Sequence, residues 1–221
     1  MSEFPAVWQR FLAMPCVTAV AADPDPVLDA WRRGRQRYWV WALEIDNPDV
    51  LNVWQACRRQ LDTWLLPGYR RQPHITLAVA GFPGPDGVND SSDCFTPAQL
   101  AACEKRLQSV AMAPFELRLG RVNSFAAAPF LEIVDAGGHL QALRERVVTH
   151  DTDFRDEPWV PHLTLGYYRD TYAPTELLPA LTGCPTDVGL TLRVTGIVLM
   201  SYSARDIAGA LSAEKRYPLS G

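Results

Sequence analysis

The sequence has few of the features that mark membrane, disordered or strongly charged proteins. No apolar run approaches the roughly 20 residues that a membrane-spanning helix needs. The net charge is only −4, and 48% of the 221 residues are hydrophobic. This composition predicts a folded chain that buries a substantial core, with no membrane as its partner. The length is typical of one domain.

Cysteine is also sparse and lacks any recognisable pattern. The chain has five cysteines, an odd number, and no two have Cys-x-x-Cys spacing, which argues against both a disulfide framework and a zinc site. Reduced thiols and a cytoplasmic location are therefore expected. Residues 11–22 resemble a weak secretion signal, but Glu3 offsets Arg10 before this segment and Pro15 interrupts it. The cytoplasmic prediction stands for that reason.

Lysine is nearly absent, since it occurs only as Lys105 and Lys215 and arginine carries the remaining positive charge. A pI of about 5.6 disfavours a large nucleic-acid surface. Arginine, however, is suited to binding one phosphate through two parallel hydrogen bonds. Most arginines are expected on the surface. The composition thus favours a small substrate or an RNA end over a long duplex.

The periodicity of the apolar residues predicts an α+β chain in which a strand–helix–strand unit occurs twice. The first unit spans 38–45, 48–65 and 72–82, and the second spans about 129–134, 139–149 and 160–167. Further helices are predicted at 96–110 and 175–181, further strands from 115, at 189–201 and at 216–219, and an exposed loop at 83–93. The repeat indicates two similar lobes.

Two of the four histidines occur in the same sequence frame. The frames are Pro73-His74-Ile75-Thr76-Leu77 and Pro161-His162-Leu163-Thr164-Leu165. From the chain's own composition, a random histidine would meet proline, threonine and leucine in these places roughly once in two thousand cases. Each frame lies in the second strand of a repeat. The two lobes are therefore predicted to meet at a cleft, with one motif from each.

The spacing of the frame predicts phosphoester chemistry. Residues i and i+2 of a strand share a face, so His74 projects with Thr76, and His162 with Thr164. One neutral histidine can accept a proton from an attacking hydroxyl, while the other, protonated, donates to the leaving oxygen. The threonine hydroxyls can donate hydrogen bonds to phosphoryl oxygens. This chemistry requires neither metal nor cofactor, and the cysteine or carboxylate partners expected of a zinc site are missing.

The paired motifs resemble those of the 2H phosphoesterase superfamily. Within it, the chain is similar to bacterial 2′-5′ RNA ligase-like proteins over roughly residues 31–219, including YWVWALEI, Phe154 to Leu165 and LRVTGIVLMSYS. The resemblance implies a bilobal, pseudo-twofold α+β fold, with two antiparallel sheets lining a central cleft and helices outside. It also implies activity on 2′,3′-cyclic phosphates or 2′-5′ linkages. The motif histidines are then the catalytic pair, and the motif threonines contact phosphate.

The chain departs from the family pattern after each motif. Family members often have an aromatic residue five positions after the first motif histidine, and an arginine at that offset after the second. Val79 and Tyr167 occupy these positions here, and Arg169 is close enough to substitute for the missing arginine. The first thirty residues lie outside the resemblance. They are predicted to be an N-terminal extension to a single domain at 31–221.

Aromatic residues near the predicted cleft are candidates for contacting the substrate. With Arg169, the candidate substrate contacts are Phe125, Tyr168 and Tyr202. Strict alternation from His162 places Tyr168 on the cleft face and Tyr167 on the core face. The two histidines without the frame, His139 and His150, are predicted to be structural or at the surface.

Three functions remain open from the sequence. The first is a metal-independent phosphoesterase for ribose 2′,3′-cyclic phosphates or 2′-5′ linkages, with a nucleotide or RNA end as its substrate. The second is a nucleotide-binding module without turnover. The third is an enzyme for a non-RNA small molecule such as a cyclic phosphate of ADP-ribose. No obligate protein partner is inferred, and the sequence assigns neither the direction of reaction nor the acid and the base.

Overall fold

A computed structural model of the chain describes residues 3–19, 26–86, 93–109, 111–149, 158–186 and 189–220. Its helices are α1 (Phe4–Ala13), α2 (Pro26–Arg32), α3 (Pro48–Gln60), α4 (Pro97–Ser109), α5 (His139–Val147) and α6 (Pro174–Thr182), with a 3-10 turn at Asp62–Trp64. Its strands are β1 (Arg37–Glu44), β2 (His74–Pro83), β3 (Cys94–Phe95), β4 (Phe115–Ser124), β5 (Pro129–Val134), β6 (His162–Thr164), β7 (Thr191–Val194), β8 (Gly196–Ser203) and β9 (Ser212–Pro218). His150, Phe154 and most of the predicted loop at 83–93 lie outside the described residues.

These strands form two sheets. The first has the order β3-β2-β1-β8-β9, and the second has the order β6-β5-β4-β7. Neighbouring strands run antiparallel, apart from the short parallel pair of β2 and β3. The predicted α+β fold with two antiparallel sheets is confirmed. No helix in the described ranges is long and apolar enough to cross a membrane.

The predicted repeat is present as β1-α3-β2 in the first sheet and β5-α5-β6 in the second. In each copy, the motif strand pairs antiparallel with the first strand of its own unit. β6 is shorter than predicted: the strand ends at Thr164 and does not continue to Tyr167. The helix predicted to reach residue 65 ends at Gln60 and is followed by the 3-10 turn.

Two helix starts occur where the sequence predicts them. The side chain of Asn47 accepts hydrogen bonds from the backbone N–H groups of Asp49 and Val50, at 3.0 and 3.1 Å. At the start of α4, Thr96 and Gln99 exchange side-chain to backbone bonds at 2.8 and 3.3 Å. These bonds satisfy N–H groups that the first turn of a helix leaves without partners.

The apolar residues of the two motifs anchor their strands in one large core. Ile75, Leu77, Leu163 and Leu165 are all fully buried in it. The core also contains apolar side chains from α3, α5 and α6. As predicted, each motif strand is held by burial of one face, which leaves the other face for the histidine and threonine.

That other face, here called the motif face of each sheet, is partly covered by the N-terminal helices. Phe4 and Val7 of α1 pack with Phe130 and Val160 beside the second motif. On the first sheet, Trp31 of α2 packs on the motif face against tyrosine and phenylalanine rings, with centroid distances of 4.9 and 4.8 Å. The N-terminal segment therefore forms part of the surroundings of both motifs.

Candidate functional site

Each motif histidine is held by the backbone two residues before it. His74 Nδ1 lies 2.8 Å from the carbonyl oxygen of Gln72, and His162 Nδ1 lies 2.7 Å from that of Val160. A carbonyl only accepts hydrogen bonds, so Nδ1 carries the proton in both rings, and Nε2 is the nitrogen that can change its protonation state. The Gln72 side chain is itself bonded in both directions to the backbone of Leu211. Both imidazoles are thus fixed by the same backbone arrangement.

The two motif strands contact each other, which brings His74 and His162 within electrostatic range. Burial lowers the pKa of His74 to about 4. The bond to Gln72 opposes this shift, while the positive charges of Arg71 and His162 add to it. His74 is therefore neutral over most of the pH range in which proteins are stable, as a proton acceptor must be.

His162 packs against a pair of stacked aromatic rings. Phe125 meets the imidazole edge to face at 4.9 Å between centroids, and Phe130 does so at 5.3 Å. Phe125 also stacks on Phe130 at 4.3 Å. The sequence-based candidate Phe125 therefore contacts the second motif histidine directly.

The threonines share the faces of their histidines. Thr76 and Thr164 are half-buried, between fully buried neighbours in each strand. A glutamate lies opposite each histidine in the strand register, Glu44 across from His74 and Glu132 across from His162. Both carboxylates have other partners. Arg216 binds Glu44 with two nitrogens at 2.8 to 3.1 Å, while the Asn123 amide and the Arg121 backbone N–H donate to Glu132.

An arginine–tryptophan pair from each repeat clamps the motif strand of the other repeat. The indole N–H of Trp54 donates to the carbonyl of Thr164 at 2.9 Å, and Arg58 donates to the carbonyl of Leu165. In the mirrored arrangement, Trp159 donates to Thr76 at 3.2 Å and Arg144 to Leu77 at 2.5 Å. The arginines lie over their tryptophan rings at 4.7 and 5.2 Å. These cross-braces hold the two motifs in a fixed relation.

Removing either indole donor is expected to destabilise the protein. Trp54→Phe and Trp159→Phe each leave a motif carbonyl without its donor, which costs about 1–3 kcal/mol of unfolding free energy. Urea titration followed by circular dichroism measures this change. Trp39→Phe is the matched control, because its half-buried indole N–H has no hydrogen-bond partner among the described residues. Equal losses for Trp39→Phe and the two brace variants would contradict the assignment.

The structure adds Arg71 to the site, a residue for which the sequence gives no signal. Its guanidinium lies over the ring of Tyr202, 3.9 Å from the centroid. Burial lowers the pKa of Arg71, but interactions with Tyr167, Tyr202 and Tyr69 outweigh it, so that the net pKa is raised. The charge of Arg71 also acts on His74. No repeated frame includes Arg71, and only the fold brings it to these tyrosines.

The prediction for Tyr168 is wrong. Tyr168 is fully buried, and its hydroxyl hydrogen bonds Ser124 Oγ at 2.7 Å. The alternation fails because β6 ends at Thr164 and Gly166 then adopts a φ of 157°, which residues with a side chain rarely do. Tyr167 is the half-buried residue instead, with its ring 5.4 Å from that of Tyr69.

The other sequence-based candidates have different environments. Tyr202 is half-buried beneath Arg71 and packs edge to face on Tyr38 at 5.8 Å. Arg169 is exposed, and its backbone N–H donates to the carbonyl of Trp64. His139, predicted to be structural, stacks on Phe115 at 4.5 Å. The described residues contain no cluster of three or more His, Cys, Asp or Glu side chains that could hold a metal ion.

A cavity of about 920 Å³ lies between α1, β4, β5 and the end of α6. Trp8, Arg121, Asn123 and Glu132 are among the residues that line it. Burial raises the pKa of Glu132, although both of its oxygens accept hydrogen bonds. These bonds are those of a satisfied structural carboxylate. Neither motif histidine lines this cavity. The cavity is therefore not used to assign the chemistry of the motifs, which rests on the positions of the motif residues themselves.

The fold of this chain thus consists of two sheets that each supply a histidine and a threonine and that are braced to each other. Solved structures share this fold. E. coli LigT complexed with 3′-AMP has a TM-score of 0.57 at 15% identity, over 84% of this chain and 99% of that chain. TT0787 of Thermus thermophilus has a TM-score of 0.53 at 16% identity, over 82% and 97%. E. coli LigT complexed with NADP+ has a TM-score of 0.51 at 14% identity, over 85% and 99%.

The family is given by the sequence itself. The profile of the 2′-5′ RNA ligase superfamily matches residues 46–206, a range that contains both motifs. The chain belongs to the 2′-5′ RNA ligase superfamily, among the 2H phosphoesterases. No curated protein matches its sequence. Membership of this superfamily supports phosphoesterase or RNA ligase-like activity. The substrate and the reaction have to be inferred from the residues of this chain.

Proposed function

We propose that the protein is a metal-independent phosphoesterase that opens ribose 2′,3′-cyclic phosphates or cleaves 2′-5′ phosphodiester linkages of nucleotides or RNA ends. The observation that carries this proposal is the matched environment of His74 and His162. Each imidazole is fixed through Nδ1 by a backbone carbonyl, next to a threonine on the same face. Such pairing suits one acid and one base acting on opposite sides of a phosphorus.

In the proposed reaction, His74 is the general base and His162 the general acid. His74 Nε2 takes a proton from a water molecule as the oxygen of that water forms a bond to phosphorus. His162 Nε2 gives a proton to the ribose oxygen as the bond from phosphorus to that oxygen breaks. Thr76 and Thr164 donate hydrogen bonds to the phosphoryl oxygens, where negative charge develops. The product is a ribose phosphomonoester, and the two imidazoles have exchanged protonation states.

The assignment of the base follows from the surroundings of His74. It is buried, and the positive charges of Arg71 and His162 both oppose its protonation. Glu44 on the neighbouring strand is held by Arg216. His162 therefore supplies the proton that the leaving oxygen needs.

The pH dependence of kcat/KM distinguishes this assignment from its reverse. A base must be neutral, so activity should fall about tenfold per pH unit only below about pH 4, as His74 becomes protonated. The alkaline side should fall as the acid loses its proton. Rates on 2′,3′-cyclic AMP between pH 3.5 and 9 test this. An acid limb well above pH 5 would contradict His74 as the base.

A substrate panel tests the proposed function as a whole. It contains the four 2′,3′-cyclic nucleotides, a 2′-5′-linked dinucleotide, its 3′-5′ isomer and a cyclic phosphate of ADP-ribose, each with and without EDTA. Turnover of the cyclic or 2′-5′ compounds that persists in EDTA is expected, because two histidines move the protons without a Lewis acid. Loss of activity in EDTA that a divalent ion restores would show that the chemistry is wrong. Binding without any turnover would favour the nucleotide-binding module.

A further inference from the structure

A half-buried cation, Arg71, lies close enough to His74 to act on its charge. In the part of the chain that the structure describes, no carboxylate forms an ion pair with Arg71. Its Nε is buried and has no hydrogen-bond acceptor there. Burying a guanidinium is unfavourable unless acceptors or an anion compensate for the lost water. An arginine in this state is typical of a site that an anion completes.

Aromatic rings hold the guanidinium without neutralising it. Arg71 lies 3.9 Å from the centroid of Tyr202, and the hydroxyl of this tyrosine interacts with it. Tyr69 and Tyr167 are its other polar neighbours. Phenol side chains are uncharged near neutral pH, because their ordinary pKa is about 10, and burial raises the pKa of Tyr69 further. These tyrosines therefore hold the Arg71 side chain in place without neutralising its positive charge, which can still attract an anion.

We propose that Arg71 binds the phosphoryl group of the substrate with a positive charge that, unlike the charge on His162, is kept throughout the reaction. This inference rests on the function proposed above and names a residue that neither motif contains. A phosphodiester carries one negative charge, and a guanidinium can donate paired hydrogen bonds to two of its oxygens. Arg71 lies three positions before His74 in the same segment, and its charge acts on that imidazole. The anion is thereby bound next to the base.

Arg169 provides the natural comparison. It is the arginine closest to the position where family members often have one, but its side chain is exposed. Arg71 instead contacts Tyr202 and has Tyr167, the residue at that family position, among its neighbours. The two arginines are therefore expected to differ sharply in their contribution to phosphate binding.

Isothermal titration of inorganic phosphate and of 3′-AMP into the wild-type protein, Arg71→Gln and Arg169→Gln tests the inference. Loss of a charge-assisted bond predicts that Kd rises roughly 10- to 100-fold for Arg71→Gln. Arg169→Gln should stay within about twofold of the wild type, since an exposed charge interacts weakly. Circular dichroism establishes that each variant is folded. Unchanged phosphate affinity in folded Arg71→Gln, or a wild-type protein that binds neither ligand, overturns the inference.

Arg71→Lys covers the case in which Arg71→Gln does not fold. Lysine keeps the charge and loses the planar fork, so the expected Kd lies between those of the wild type and Arg71→Gln, about three- to tenfold above the wild type. A folded lysine variant with wild-type affinity overturns the inference as well. The binding assay does not depend on turnover. If the substrate panel fails while Arg71→Gln still loses phosphate, the proposed function is wrong and the phosphate site remains.

Discussion

His74→Ala and His162→Ala are each expected to reduce turnover of a cyclic phosphate by roughly 10²–10⁴-fold. Each change removes one of the two proton-transfer groups, which the Nδ1 bonds to backbone carbonyls hold in a fixed orientation that a water molecule does not have. Thr76→Ala and Thr164→Ala should cost less, about 1–3 kcal/mol in the transition state, because each removes one neutral hydrogen bond. Initial rates at saturating substrate measure all four.

The double histidine variant adds a second criterion. Residues that act as a unit are not additive, so His74→Ala combined with His162→Ala should be little worse than either single change. His139→Ala is the matched control, because this histidine belongs to neither motif frame and stacks on Phe115. It should retain wild-type turnover. If His74→Ala and His162→Ala behave like His139→Ala, the catalytic assignment is wrong.

Phe11→Ala is expected to lower the free energy of unfolding by about 3–5 kcal/mol, the usual cost of removing a buried aromatic ring. Phe11 belongs to α1, in the segment predicted to be an extension, yet it is fully buried in the main core. Urea titration monitored by tryptophan fluorescence and circular dichroism measures the loss. The result bears on function because α1 also packs against Phe130 and Val160 beside the second motif.

The neighbouring residue supplies the control for this experiment. Leu12 lies in the same helix and is 39% exposed, whereas Phe11 is 0% exposed. Leu12→Ala should therefore change stability by less than about 1 kcal/mol. Similar small effects for both substitutions would show that α1 is a dispensable attachment and not part of the folded unit.

The sequence predicts the motif residues well because their geometry is local. Alternation along a strand depends only on neighbouring backbone dihedrals, so the burial of Ile75 and Leu163 and the shared faces of the histidines and threonines follow from the frame alone. The same rule fails directly after Leu165, because the strand has already ended at Thr164 and the backbone turns at Gly166, so that Tyr168 is buried and Tyr167 is half-buried. The sequence of such a short strand does not indicate the residue at which the alternation of buried and exposed side chains ends.

Other parts of the site depend on the tertiary fold and have no local signal. Arg71 reaches Tyr167 and Tyr202 only when segments far apart in the chain assemble. The bonds from Trp54 and Trp159 to the opposite motif strands likewise join residues that are 110 and 83 positions apart. In α1, the spacing of Phe4, Val7 and Phe11 is typical of an amphipathic helix. That spacing does not indicate that the helix packs beside the second motif.

The most direct measurement of the central claim is phosphorus NMR of 2′,3′-cyclic AMP incubated with the wild-type protein and with His74→Ala/His162→Ala, in EDTA. We expect the wild type to convert the cyclic phosphodiester resonance into that of one phosphomonoester, since a fixed acid and base can protonate only one ribose oxygen as the leaving group. The double variant should leave the substrate unchanged over the same time. A cyclic resonance that persists with the wild type, or that disappears equally fast with the variant, would contradict two-histidine phosphoesterase catalysis by this protein.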